Sequence, residues 1–476
     1  MAASSLASDP VIFALLSAVA VGAVLAAIAG IAITRPALAF IGLFVFFAFA
    51  WRLVSVLYID IFGPLFSEQL ERDIGPGISA VPIAIAQGLV IAALLFSFRP
   101  QRVQRLFSES DTKLGGHLPA GALDLASVAF WIASLFVAGL WVELLLAGPI
   151  PLFAGLERFD YSRLYGGPLH NQLLQWGPML AFQLGIFLVA PMLDDRRFDR
   201  RFGYLFASLI LYLFLVGHRF SSFYIYACFF LIPMGAVLLG RHAATATRVK
   251  FFPGKTLRNL LIIGAGLIVL VAGAVVYSYI VVRGFEGTEL LTKLSQRILV
   301  QQGEMWWMTY ERIFLRGDWD SDFAAYKLFF DPFNPNRNST MQFLMESALP
   351  IERAHFILQQ GSAYTGGWPE VLFELGGPIG GFALVALSAI IFSEFMFLVV
   401  RCIVQERFVT CFFLTPILFA LSINIVSGMA NSFIQVTFLI KIAAALVAYV
   451  TEDGWRSSLF SSPAGFDPLP GLQKEA

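Results

Sequence analysis

Two kinds of residue in this chain could act on a ligand: arginines at the ends of apolar runs, and one histidine in a glycine-rich stretch. The arginines are Arg158, Arg163, Arg219, Arg283, Arg297 and Arg353. A guanidinium stays charged at any relevant pH, and its planar fork pairs bidentately with phosphate oxygens. Several on one side therefore suit a polyanionic ligand such as a lipid-linked diphosphate. For each taken singly the alternative is snorkelling, with the stem along apolar surface and the guanidinium among headgroups. Arg219 is the sharpest of the set. It lies in "LFLVGHRFSSFYIYACFF" (Leu213–Phe230), where the turn between two apolar runs is too short to carry it far into water. A charge near membrane depth marks a functional site by default, and His218 beside it reads as a bystander.

The histidine is His355, in "ERAHFILQQGSAYTGGWPEVLFELGGPIGGF" (Glu352–Phe382), with Arg353 before it and Gly366, Gly367, Pro369, Glu370 and Glu374 after it. It has the chemistry to take a proton from an attacking hydroxyl, and the glycines permit tight turns and close backbone approach of a ligand. Taken alone, a loop histidine is more often a surface residue. Other patterns carry less. "DWDSD" (Asp318–Asp322) resembles acidic triplets that hold a divalent ion, but so short a run is common in solvated loops. "NST" (Asn338–Thr340) fits a glycosylation acceptor. The five histidines, His117, His170, His218, His242 and His355, lack metal-ligand spacing, and no Walker loop appears. No metal or cofactor is expected.

The elements that must position these residues are membrane helices. Of 476 residues, 58% are hydrophobic and 13% charged, with mean hydropathy +0.76, outside the balance of a soluble domain. Formal net charge is zero, so no nucleic-acid footprint is visible. Cys228, Cys402 and Cys411 lie in or beside apolar runs and read as small hydrophobes. "MAASSLASDP" lacks a positive region before the first apolar run, so that segment is expected to stay in the mature protein. At about 20 apolar residues per crossing, spans are expected near 10–33, 37–58, 79–98, 124–147, 173–192, 203–217, 222–240, 259–282, 377–400, 408–426 and 433–450. The fold class is all-α and polytopic, with about eleven transmembrane helices.

Positive connections stay cytoplasmic. "RPQRVQRLF" (Arg99–Phe107), "DDRRFDRRF" (Asp194–Phe202), 241–258 and "RCIVQER" (Arg401–Arg407) share one side if the N-terminus is outside and the C-terminus inside. The six arginines then face outward with 59–78, 148–172 and the long segment 283–376. A structureless loop of that length is unusual, so helices are expected in it. In Leu290–Leu315, Leu291, Leu294, Ile298, Leu299 and Met305 recur near helical spacing, while Trp306 and Trp307 suit the membrane interface. The chain divides into a membrane bundle (1–282), the long outward region (283–376), further membrane helices (377–450) and a cytoplasmic tail (451–476) whose Pro/Gly-rich end reads as disordered.

With these residues in hand, the chain resembles the bacterial O-antigen polymerases (Wzy-type) and their relatives, the O-antigen ligases. The resemblance rests on the many spans, the late outward loop, "GHRFSS" (Gly217–Ser222), His355 followed after ten residues by Gly366, and "GGWPEVLFELGGPIGG" (Gly366–Gly381). It covers topology over most of the chain and motifs over 217–222 and 353–381. No arginine followed by ten residues and glycine, a pattern of some polymerases, occurs in either outward loop. The resemblance implies a GT-C-like fold and metal-independent glycosyl transfer at the periplasmic face of the inner membrane. The substrate would be an undecaprenyl-diphosphate-linked glycan, with membrane lipids and a chain-length regulator as partners. It further implies Arg219 and Arg297 on the diphosphate, Arg158 or Arg163 on a second lipid or sugar, His355 as base, and Arg283, Arg353, Gly366 and Glu374 along the substrate. The nearest rival is an O-antigen ligase. From other classes come a polysaccharide flippase or secondary transporter, disfavoured by the lack of internal repeats, and a non-catalytic subunit of an assembly complex.

Overall fold

The computed structural model describes residues 10–113, 122–156, 158–194, 198–218, 220–244, 273, 276–277, 280, 287–329, 340–359 and 366–460. Its long helices are α1 (Pro10–Thr34), α2 (Leu43–Phe62), α3 (Ala80–Ser97), α4 (Ala122–Ala147), α5 (Pro168–Val189), α6 (Arg200–Leu215), α7 (Phe220–Ala244), α8 (Glu370–Val404), α9 (Phe408–Ser427) and α10 (Val436–Phe460). Among the described residues, 8 helices are long and apolar enough to cross a membrane. The chain is thus an all-α polytopic membrane protein. Those helices correspond to eight of the expected spans. The expected span 259–282 falls almost wholly outside the described residues, α6 has only 16 residues, and α10 continues the expected span 433–450 through Thr451–Phe460 as helix.

Two boundaries differ from the expectation for local reasons. The expected span 37–58 is split: a short helix, Pro36–Ile41, ends at Gly42, and α2 begins after it. A Cβ at Gly42 would lie 2.6 Å from the Phe46 ring. The span expected from 377 starts at Glu370 instead, because α8 is two helical pieces joined across Gly377, whose φ of 66° is open to glycine. Pro378 follows the break, with no amide hydrogen to continue the first piece.

The helices bury two cores. One gathers α1, α2, α3, α8, α9 and α10 with part of α7 around Phe49, Leu53, Val90, Phe392 and Val400. The other gathers α4, α5, α6 and α7 around Leu140, Leu173, Phe202 and Tyr212. Over one end of the first lobe lies a layer of short helices, Gly287–Ser295, Glu304–Tyr310, Ser321–Phe329, Thr340–Ala348 and Ile351–Gln359, with π-helical turns at Gln296–Val300 and Glu311–Arg316. A two-stranded hairpin from the α2–α3 connection, Leu65–Ser67 paired antiparallel with Arg72–Ile74, joins this layer.

Trp306 and Trp307 correct the expectation for them. They are 0% and 6% exposed, and the Trp306 indole donates to the Ser79 carbonyl at 2.7 Å. They are core residues of the layer, not interfacial anchors. Leu291, on the preceding helix, is 68% exposed, so the apolar stripe read from Leu290–Leu315 is only partly buried. The break between helix and π turn shifts its register.

The basic connections gather at the opposite end. Arg102 reaches Glu394 of α8 through two bonds of 2.6 Å, and Gly240 of α7 sits against the Phe107 ring. Phe187 near the end of α5 meets Phe408 at the start of α9, 6.0 Å between rings. The start of α5 therefore lies at the same end as the finish of α9, where Gly428 meets Gly367 beneath the layer.

Candidate functional site

The layer end carries two polar clusters, one over each lobe. The first is made of carboxylates and guanidiniums. Arg52 of α2, buried among apolar residues, donates to the Trp368 carbonyl and the Glu370 carboxylate. Glu370 is 0% exposed, at the first turn of α8. Arg312 pairs with Glu374 one turn further on, Arg72 and Arg316 share Glu311, and Arg353 pairs with Glu71. Lys293 reaches Glu68 at 2.8 Å. Below them Asp60 accepts from Ser17 and Ser79 hydroxyls and from the amides of Ser79 and Ala80, which caps α3.

The hairpin turn is the meeting point. Glu68 and Glu71 hold Lys293 and Arg353, so the segments bearing Arg297 and His355 converge on it. Gln296 donates to the Phe66 carbonyl at 2.9 Å, and Trp51 donates to the Ile298 carbonyl at 2.9 Å, which fixes the backbone on both sides of Arg297. Arg297 itself is half-buried and has no partner among the described residues. His355 is 53% exposed; its Nε2 lies 3.4 Å from Glu346, which also holds Lys327 at 3.2 Å. An imidazolium formed there would face a carboxylate.

Glu304 is the buried acid of this cluster. One oxygen accepts from Ser67 at 2.6 Å and the other is buried without a partner among the described residues. Burial pushes its carboxyl up to about 7, against the bond from Ser67.

The second cluster lies where α5 begins and α6 ends. His170 is fully buried; its Nδ1 is 2.9 Å from the Tyr212 hydroxyl and its Nε2 is 3.0 Å from Ser162 Oγ. Glu143 accepts the amides of Leu169 and His170, both at 2.9 Å. The His218 ring lies 6.4 Å from that of His170 and its Nδ1 is 2.9 Å from Ser222 Oγ. Arg158 stacks over Phe159, 4.5 Å to the ring centre. Arg163 is exposed and has no partner among the described residues.

The arrangement divides the residues expected from sequence. Arg353 is held on the hairpin by Glu71, and the segments carrying His355 and Arg297 are tied to it through Arg353, Lys293 and Gln296, while Arg158 and Arg163 stand on the other lobe. Arg219 and Arg283 lie outside the described residues. Glu374 is 2% exposed, and the contact expected of it with a substrate is taken by Arg312. The close approach expected at the glycines is made by protein. A Cβ at Gly366 would be 2.9 Å from both Arg52 and Glu370, and one at Gly367 would be 2.2 Å from the Ser427 carbonyl. At Gly377 it would meet the Trp319 ring at 2.7 Å. Asp320 of "DWDSD" caps the following helix, accepting the Phe323 amide at 2.9 Å. Arg52, Asp60 and Glu304 were missed, and Glu370 and His170 were named without a role. For Arg52 a signal existed, a lone arginine inside the expected span 37–58.

A family profile described as a family of unknown function (DUF6418) matches residues 334–442. That segment is under a quarter of the chain. It contains His355, Gly366, Glu370 and Glu374 with α8 and α9, and leaves out Arg297, the hairpin and the second lobe. No curated protein and no solved structure matches the chain significantly.

Proposed function

We propose that this protein is a metal-independent glycosyltransferase of the bacterial inner membrane that polymerises undecaprenyl-diphosphate-linked repeat units into a surface polysaccharide such as O-antigen, on its periplasmic side. The observation that carries the reading is that the segments bearing Arg297 and His355 are both anchored on the hairpin turn, through Lys293 and Gln296 and through Arg353. Among the described residues, nearly every other cation of that layer is neutralised by a carboxylate, whereas Arg297 keeps its guanidinium uncommitted. An uncommitted guanidinium beside the membrane suits a diphosphate. Under this reading the N-terminus is periplasmic, and the basic connections and C-terminus are cytoplasmic.

In the transfer step the bond from the donor sugar C1 to the diphosphate oxygen breaks, and the electron pair leaves with undecaprenyl diphosphate. Arg297 stabilises the charge that develops on that leaving group. The acceptor hydroxyl oxygen forms the new bond to C1, and its proton passes to His355. Glu346 stabilises the imidazolium. Arg353, two residues before His355, anchors the helix to Glu71 and so sets its position at the hairpin.

Deleting the gene should leave surface glycan capped by a single repeat unit. Complementation with Arg297→Ala or His355→Ala should restore no long chains at normal protein levels, a loss of roughly 10²–10⁴-fold for the base. Absence of any attached repeat in the deletion would point to a ligase or flippase, and a normal chain-length distribution in both variants would overturn the site.

A further inference from the structure

The second cluster has a feature the transfer step does not use: polar atoms with no partner inside a set of stacked rings. Tyr161, Tyr212 and His218 surround His170, with ring centres 5.3, 6.1 and 6.4 Å away. The Tyr161 hydroxyl and the His218 Nε2 are buried and make no hydrogen bond among the described residues. An unmade buried hydrogen bond is costly, so two in one cluster invite a partner from outside the chain.

A serine nucleophile is the first chemistry such a cluster brings to mind, and the hydrogen bonds exclude it. Ser162 donates its proton to the Arg158 carbonyl at 2.8 Å, so it accepts from His170 Nε2, whose Nδ1 then accepts from Tyr212. The amides of Leu169 and His170, which could have faced an oxyanion, are taken by Glu143. His170 is thus a neutral, satisfied strut, and the unfilled capacity belongs to Tyr161 and His218. The adjoining turn is shaped for this. A Cβ at Gly167 would lie 2.4 Å from the Glu143 carboxyl, and one at Gly166 would lie 3.0 Å from the His170 ring.

The same groups decide which ligand fits. Burial, with Arg158 and His170 adding, holds the His218 imidazole down at about 3, so it offers an uncharged nitrogen at neutral pH. Glu143 acting on His170 and Arg158 acting on His218 bring opposite charges to the cluster, so it favours an ion of neither sign. An uncharged hydroxyl-bearing ligand with an apolar face suits neutral hydrogen-bonding atoms between rings, whereas the exposed Arg163, two residues after Tyr161 on the same short helix, suits an anionic end.

We infer that the end of the α4–α7 lobe is a second substrate site, in which His218 and Tyr161 bind sugar hydroxyls of a lipid-linked acceptor and Arg163 binds its phosphate. This rests on the transferase reading and divides the two substrates between the lobes, the diphosphate donor over the first and the acceptor on the second.

The test uses the full-length protein in detergent or nanodiscs, elongated donor at saturation, and as acceptor the lipid-linked repeat unit extracted from the deletion strain. His218→Ala and Arg163→Ala should each raise the acceptor KM at least about tenfold, the effect of 1.4 kcal/mol, with the donor KM unchanged. Arg163 is exposed, so its removal reads binding even where His218→Ala fails to fold. An unchanged acceptor KM in Arg163→Ala and any folded His218→Ala, while Arg297→Ala is inactive, overturns the acceptor site alone. A wild-type protein that consumes no lipid-linked repeat overturns the transferase reading beneath it.

Discussion

The two polar clusters at one end of this bundle are built on opposite rules. Over the first lobe charge is matched with charge: Arg52 with Glu370, Arg312 with Glu374, Arg72 with Glu311 and Arg353 with Glu71. Over the second lobe the centre is a neutral chain from Tyr212 through His170 to Ser162, with two buried atoms left over. In the charged layer, most charges say nothing about ligands because they hold short helices onto the membrane bundle. The informative residue there is the exception, Arg297. In the neutral cluster the hydrogen-bonded residues are the scaffold, and the informative atoms are the ones without partners.

The largest effect should come from breaking the matched layer at its most buried pair. Removing either partner of Arg52 and Glu370 strands a charge in an apolar surrounding, which costs about 3–5 kcal/mol. Arg52→Ala and Glu370→Ala should each lower the unfolding midpoint in detergent sharply. Arg52→Met with Glu370→Met together should recover most of the loss, since replacing a buried pair with apolar groups is often neutral. A double variant no better than the singles would show that the pair does more than satisfy itself.

Glu304 gives a smaller, pH-dependent break in the same layer. Its carboxyl titrates at about 7 when folded, against an ordinary value of 4.5. Between those values the folded protein holds a proton the unfolded chain has lost, so this group makes stability fall as pH rises through the window and level off above it. The full difference is about 3 kcal/mol. Glu304→Gln keeps an acceptor for Ser67 and cannot ionise. Its stability relative to wild type should rise from pH 4.5 to 7 by that order, read from unfolding midpoints at each pH. A constant difference across the window would refute the buried-acid assignment.

The neutral cluster should respond according to which atoms are satisfied. Tyr212→Phe leaves His170 Nδ1 without its donor, at a cost of about 1–3 kcal/mol. His218→Phe removes an atom that had no partner and frees the half-buried Ser222 to bond water, so stability should hardly change while acceptor binding is lost. Equal destabilisation by the two would erase the distinction between scaffold and ligand group.

Much of the membrane architecture was legible because apolar runs near 20 residues have one stable reading in a bilayer. The start of α5 at Pro168 and the break in α8 at Gly377 went unread, since the spans were expected from 173 and from 377. What sequence alone hid was pairing across distance. Arg52 and Glu370 are 318 positions apart, and nothing local in "FAFAWRLVSV" or "GWPEVL" names the other. Glu374 and Arg353 looked available for a ligand for the same reason: their partners Arg312 and Glu71 belong to other segments. Trp306 and Trp307 were misread because a tryptophan pair at a membrane interface and one inside a folded layer have the same local sequence. Arg297 and Arg163 were legible as candidates, since an unpaired residue needs no distant partner to define it.

The smallest effect separates structural charge from free charge within one short stretch. Lys293 and Arg297 are one turn apart, and Lys293 pairs with Glu68 across 2.8 Å with both side chains partly exposed, 33% and 41%. Such a pair contributes less than about 1 kcal/mol and is screened by salt. Lys293→Ala should therefore lower the unfolding midpoint slightly at low ionic strength and not at about 1 M, where the Debye length is roughly 3 Å. Arg297→Ala has no pair to lose, so its midpoint should match wild type at both salt concentrations while long-chain product disappears. Loss of stability in Arg297→Ala comparable to that in Lys293→Ala would mean that Arg297 belongs with the matched charges after all. The contrast between the two clusters would then rest on Tyr161, His218 and Arg163 alone.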